Sequence, residues 1–297
     1  MKTRVHFSAQ LIILCVTLLV AGCSFTIQPP TGVPTSGLVD IGGRKLFLDC
    51  QGEGSPTVLL EAGLGGDHTT WSLVQPAAAK LTRVCSYDRA GLGQSDPPDY
   101  TPRTSVDVVA DLHALLVAAQ LSGPFLLVGH SFGGLHVRAF AQAHPNDVSG
   151  VLLVDAVHPD WWRRAAALLP PASPGEAAAI TALRRYFVSE GGEPAENAEV
   201  MDIAASAAQV RLAGNLGNRP LIVLSAGIAD VLPLGLPTAL RKPLTKLLLE
   251  DLPAELVQLS PNSLLITAAN SGHDIPRQQS GLVVTAIKTL VQASRGQ

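Results

Sequence analysis

The chain is poor in charge, in aromatic rings and in cysteine. Charged residues make up 15% of its 297 positions, aromatic residues 4%, and there are four cysteines. The formal net charge is −3, and basic residues come as scattered pairs such as Arg163–Arg164. Without a basic run, no nucleic acid or other polyanion partner is expected. No Cys/His cluster with ligand spacing stands out, so no metal and no cofactor is expected. No internal repeat is visible. The apolar run near the start, Leu11–Val20, is ten residues long, too short to span a membrane comfortably. Hydrophobic residues are plentiful, at 47%. At this length they suit one domain of the larger kind with a sizeable core.

That apolar run follows Lys2 and Arg4 and ends in "VAGC" (Val20–Cys23). The segment resembles a bacterial lipoprotein signal with its lipobox. The resemblance implies cleavage before Cys23, a diacylglycerol on its thiol, and an exported protein held to a membrane by acyl chains. An ordinary secretory peptide with an incidental Cys23 is the alternative. Ser24 after Cys23 leaves outer-membrane sorting open in a cell with two membranes. Residues 1–22 then form the signal and 23–37, rich in Pro, Thr and Gly, an extended tether. The folded domain covers 38–297.

Within that domain, "TVLLE", "FLLVG", "GVLLVD" and "LIVLS" are nearly all apolar rather than alternating. Such strands belong to a mainly parallel sheet buried on both faces. Helical spacing separates them, as in "TSVDVVADLHALLVAAQL" (Thr104–Leu121). The rhythm breaks at about 158–218, an Ala-rich stretch cut by Pro and Gly that reads as a helical insertion. Pro243 and Pro253 are expected to break the later helical stretch.

"GHSFG" (Gly129–Gly133) fits G-x-S-x-G, a weak signal alone. Here a strand precedes it and a helix follows, as a strained turn presenting a serine hydroxyl requires. Together with "EAGLGG", "YDRAGLGQSD" and "SGHDI", in that order, it makes the chain resemble the α/β-hydrolase superfamily over roughly Leu38 to Ser294. The resemblance implies an eight-stranded, mainly parallel sheet with helices on both faces and a helical cap after the sixth strand. Glu61–Ala62 departs from the family, many members of which have a histidine there.

A serine hydroxyl needs a base to take its proton. His273, in a Gly-flanked loop after the last strand, is the best candidate for Ser131. His130, beside the serine, is expected to point away. The acid is Asp155, at the end of "GVLLVD", or its rival Asp230, in the G-x-x-D after "LIVLSAG". Certain haloalkane dehalogenases among the relatives carry their acid at the former place. The oxyanion donors implied are the backbone N–H groups of Leu64 and Phe132. Asp88 and Arg89 read as a buried ion pair bracing the loops. The family strand order puts Cys50 and Cys85 on neighbouring antiparallel strands, so a disulfide and two separate thiols are both open. Trp161 and Trp162 begin the insertion, where they either line an acyl pocket or fasten the cap.

The resulting expectation is a membrane-anchored serine hydrolase acting on a small-molecule carboxylic ester. Acyltransferase, thioesterase and aminopeptidase chemistry on the same triad stay open. So does a surface lipoprotein that binds without catalysing. Dehalogenase and epoxide-hydrolase chemistry is disfavoured, since those relatives carry Asp at the elbow.

Overall fold

The apolar strands lack polar alternation because both faces of the sheet are covered. The structure, a computed structural model, describes residues 36–296. The segment read as a signal, Cys23 and most of the tether lie outside the described residues. Strand β1 (Ser36–Asp40) pairs antiparallel with β2 (Lys45–Gln51), and β2 antiparallel with β4 (Val84–Tyr87). The rest of the sheet is parallel: β3 (Thr57–Glu61), β5 (Phe125–His130), β6 (Val148–Val154), β7 (Leu221–Ala226) and β8 (Ser263–Ala268). The order is β1-β2-β4-β3-β5-β6-β7-β8. β1 starts at Ser36, two residues inside the stretch read as tether.

Ten α-helices occur among the described residues. They are α1 (Gln75–Ala78), α2 (Ser105–Ala118), α3 (Gly133–Ala143), α4 (Trp161–Ala167) and α5 (Ala178–Val188). Then follow α6 (Ile203–Leu212), α7 (Thr238–Lys246), α8 (Leu252–Val257), α9 (Ile275–Gln278) and α10 (Ser280–Ser294). No helix among them is long and apolar enough to cross a membrane. Strand periodicity divides the core. Leu59, Leu127, Leu153 and Val223 pack with Leu115 of α2, Phe140 of α3 and Leu256 of α8. Their neighbours Val58, Leu60, Val128, Leu152 and Leu224 pack with Val283, Ile287 and Leu290 of α10. A third cluster joins Trp162, Phe187 and Val210, from α4 to α6, to Leu135 of α3 and Leu244 of α7. The helices between β6 and β7 therefore share a core with the helix that follows β5.

Two prolines behave differently from expectation. Pro243 sits inside α7, and a π turn (Leu247–Asp251) carries the chain on into α8. Pro253 occupies the first turn of α8, directly after the π turn. Cys50 and Cys85 face each other in the β2–β4 register and are joined by a disulfide.

Candidate active site

Parallel strands point their carboxyl ends to one edge of the sheet, where loops collect. β5 ends at His130 and α3 begins at Gly133, which leaves two residues for the turn. Ser131 absorbs it with φ of 54°, a left-handed conformation that costs a non-glycine residue. Its N–H donates to Val154 O at 3.0 Å, and its carbonyl accepts from Gly134 and Val157. The glycines are steric necessities. A Cβ on Gly129 would stand 2.7 Å from Gly133 O, and one on Gly133 would stand 2.5 Å from Ala62 O. The turn, the next helix and the loop after β3 thus meet without side chains between them.

The loop after β8 brings His273 to the same place. Its Nε2 lies 2.8 Å from Ser131 Oγ and its Nδ1 2.6 Å from Asp155 Oδ2. Asp155 is fixed by a second contact, Ala226 N–H donating to Oδ1 at 2.9 Å. Asp230 also reaches His273, but at its backbone: the His273 N–H donates to Asp230 Oδ1 at 2.9 Å. A Cβ on Gly272 would overlap Asp230 Oδ2 at 1.8 Å, so glycine is required beside the histidine. The two carboxylates therefore divide the work, one holding the ring and the other the main chain. Burial works against the His273 cation, yet the hydrogen bond and charge of Asp155, with Asp230 and Asp274, raise its pKa above the ordinary value.

His130 does not point away. Its Nε2 meets His273 O at 2.9 Å, and the two rings stand 4.9 Å apart. Burial and the adjacent His273 push its pKa down to about 4, so it braces the loop as a neutral ring.

The loop Glu61–Gly66 lies against the serine: a Cβ on Gly63 would be 3.0 Å from Ser131 Cβ. Among the described residues, no hydrogen bond within the protein takes the N–H of Leu64 or of Phe132. What secures the loop is Arg89, and here the expected Asp88–Arg89 pair is wrong. Arg89 Nη1 lies 2.6 Å from Glu61 and donates to Ala62 O at 2.8 Å, while Nη2 donates to Gly63 O at 2.6 Å. On its other side Glu199 accepts from Nε at 2.8 Å and from Nη2 at 2.6 Å. Asp88 instead accepts from the backbone N–H of His68 and Gln94. Burial alone would lower the Arg89 pKa; Glu199 and Glu61 raise it, so the guanidinium stays charged. Glu61 takes the histidine's place in the family pattern and closes its own hydrogen bonding with Tyr87 Oη at 2.5 Å. Glu199 also accepts from Gly65 N–H at 2.5 Å, which ties the segment before α6 to this loop. Nothing local in the sequence marks Glu199. The one available signal was the buried-looking Arg89 in need of counter-charge.

A cavity of about 170 Å³ opens over Ser131 and His273, and both Trp161 and Trp162 line it, with His158, Leu252 and Leu256. Trp161 also packs edge-on against Phe187 at 5.5 Å, and Trp162 belongs to the third core cluster. Wall and fastening are one role here. Two groups of potential metal donors that the sequence did not reveal also lie close together: His113, His144 and Asp147, and Asp67, His68 and Asp88. In the second, Asp88 already takes His68, and Asp67 caps the turn that follows it.

A sequence model described as the alpha/beta hydrolase fold matches residues 56–185. The chain is 27% identical over 90% of its length to "Probable transporter efuK" of Hormonema carpetanum, of which it spans only 44%. It is also 27% identical over 80% of its length to the uncharacterized protein YqjL of Bacillus subtilis, 84% of which is covered. Its structure resembles that of a thermophilic esterase from Thermogutta terrifontis, with a TM-score of 0.59 and 20% identity over 87% of this chain and 98% of the other. The chain has the alpha/beta hydrolase fold.

Proposed function

We propose that this chain is a serine hydrolase that cleaves carboxylic esters through an acyl-enzyme. The observation that carries the reading is the unbroken row Ser131 Oγ–His273 Nε2, His273 Nδ1–Asp155 Oδ2. His273 takes the hydroxyl proton as Ser131 attacks the ester carbonyl. The oxyanion forms between the N–H groups of Leu64 and Phe132. His273 then returns the proton to the departing alcohol, and water, deprotonated by the same ring, releases the acid. Asp155 holds the imidazole in the tautomer that leaves Nε2 free to accept. The cavity beneath Trp161 and Trp162 takes the acyl or alcohol group. The Thermogutta terrifontis neighbour, an esterase, is consistent with this chemistry.

The test is pre-steady-state hydrolysis of p-nitrophenyl acetate. A burst of one p-nitrophenolate per chain, absent in Ser131→Ala, is expected. Equal turnover by Ser131→Ala and wild type would remove the proposal. We propose further that Cys23 carries a lipid that holds the enzyme to a membrane, on the strength of the lipobox-like "VAGC". Cys23→Ala then shifts the protein to the soluble fraction and abolishes metabolic labelling with palmitate; labelling that survives the substitution contradicts the anchor.

A further inference from the structure

Helix α3 carries Arg138 two turns beyond the elbow. Its side chain is 6% exposed, and it makes no hydrogen bond or ion pair among the described residues. Nη1 is wholly buried with no acceptor. An unpaired buried guanidinium is expensive, and folds tolerate it where something else repays the cost. Arg138 stands in the wall of a recess of about 860 Å³, together with Arg163, Arg164 and Arg211.

Two carboxylates share that wall, Asp160 and Glu255, and both are occupied. Arg211 Nε holds Asp160 at 2.8 Å, with Arg163 at 3.8 Å. Arg164 holds Glu255 at 2.5 Å, and His158 Nε2 lies 3.6 Å from it. Arg211 has a further partner in Glu190. Four guanidinium groups therefore meet three carboxylates, Asp160, Glu255 and Glu190, and Arg138 is the one left without a partner. His158 adds no cation, since burial and Arg138 push its pKa down to about 4. Burial also lowers Arg138, to about 10, which leaves it charged near neutral pH.

From this arrangement we infer that the recess binds an anion, a carboxylate or a phosphate, whose oxygens meet the unpartnered edge of the Arg138 guanidinium that faces the recess. The guanidinium fork matches two such oxygens, and with the neighbouring arginines paired to carboxylates the surplus positive charge of the recess is that of Arg138. Two sources present this chemistry. His158 lines both this recess and the cavity over Ser131, so one source is the charged end of the molecule whose ester is cleaved. That source rests on the esterase reading. The other is a free small anion, and anion binding itself rests on neither.

Calorimetry with inorganic phosphate and with succinate tests the site. Wild type binds one or both at millimolar concentration. Arg138→Met weakens binding about tenfold or more, the effect of one charge-assisted contact. Arg138→Lys keeps the charge and loses less. Arg138→Met keeps or raises the thermal midpoint, because it removes an unpaired charge and leaves an apolar side chain of similar reach. The source follows from kinetics with mono-p-nitrophenyl succinate against p-nitrophenyl butyrate. If the anion is part of the substrate, Arg138→Met raises KM for the charged ester about tenfold more than for the neutral one. If it is a free ligand, both KM values change alike while phosphate or succinate binding is lost. Absence of binding to wild type, or equal binding to Arg138→Met, overturns the inference whatever the fate of the esterase reading.

Discussion

Asp155 and Asp230 both touch His273, and replacing each by asparagine separates their roles. In Asp155→Asn, the 2.6 Å contact to His273 Nδ1 changes character. An amide N–H turned toward Nδ1 favours the tautomer with its proton on Nε2, which can no longer accept from Ser131. Loss of that orientation and of the carboxylate's charge costs about 10⁴ in kcat, or roughly 5.5 kcal/mol of transition-state stabilisation. In Asp230→Asn the amide oxygen still accepts from the His273 N–H, and only a charge outside the ring contact is lost. The expected decrease is about tenfold or less, near 1.4 kcal/mol. The pH dependence adds a second readout. In the proposed mechanism neutral His273 is the active form, so activity is expected to fall as pH drops through its raised pKa. The same shift acts on stability with the opposite sense: folding favours the cation, so the contribution is full below the ordinary value of 6.5 and fades as pH rises through the folded pKa. Asp155→Asn moves the acid limb of kcat/KM to lower pH, and Asp230→Asn moves it less. Stopped-flow hydrolysis of p-nitrophenyl acetate across pH, with circular dichroism as a check on folding, measures both. Equal loss of kcat in the two variants, each folded, refutes this division.

Replacing Cys50 and Cys85 together by serine opens a loop of 35 residues, and chain entropy gives a cost of about 3–4 kcal/mol in urea unfolding. Gly272→Ala places a Cβ against Asp230, so the His273 loop must move; activity is expected to fall far more than the melting temperature. Glu199→Gln leaves Arg89 with Glu61 as its remaining carboxylate and loosens the Glu61–Gly66 loop, so kcat drops about tenfold with KM nearly unchanged if that loop serves the transition state. Trp162→Ala removes a wall of the cavity and a member of the third core, at about 3–5 kcal/mol of stability read from chemical denaturation.

The elbow was legible because its constraints are contiguous: a strand, a kinked serine, glycines where backbones cross, and a helix. The buried strands were legible for the same local reason, since an uninterrupted apolar run has few other uses. The acid was harder. Asp155 directly follows β6 and Asp230 lies in the loop after the neighbouring β7, and which one meets the ring depends on a loop 118 residues beyond Asp155. No local pattern encodes that approach. The Asp88–Arg89 reading failed for a geometric reason: adjacent residues at a strand's end project to opposite sides, so neighbours in sequence seldom pair. Arg89 and Glu199 lie 110 residues apart and meet only after the helices between β6 and β7 fold onto the loop. The prolines at 243 and 253 misled because Pro243 is accommodated inside α7 and Pro253 in the first turn of α8, and a π turn joins the two helices without a break.

The most direct measurement is mass spectrometry of the intact protein and its peptides after treatment with a fluorophosphonate. The account predicts one adduct per chain, on the peptide containing Ser131, and none in His273→Ala at matched exposure. An adduct on another residue, or an unmodified Ser131 in folded protein, contradicts it.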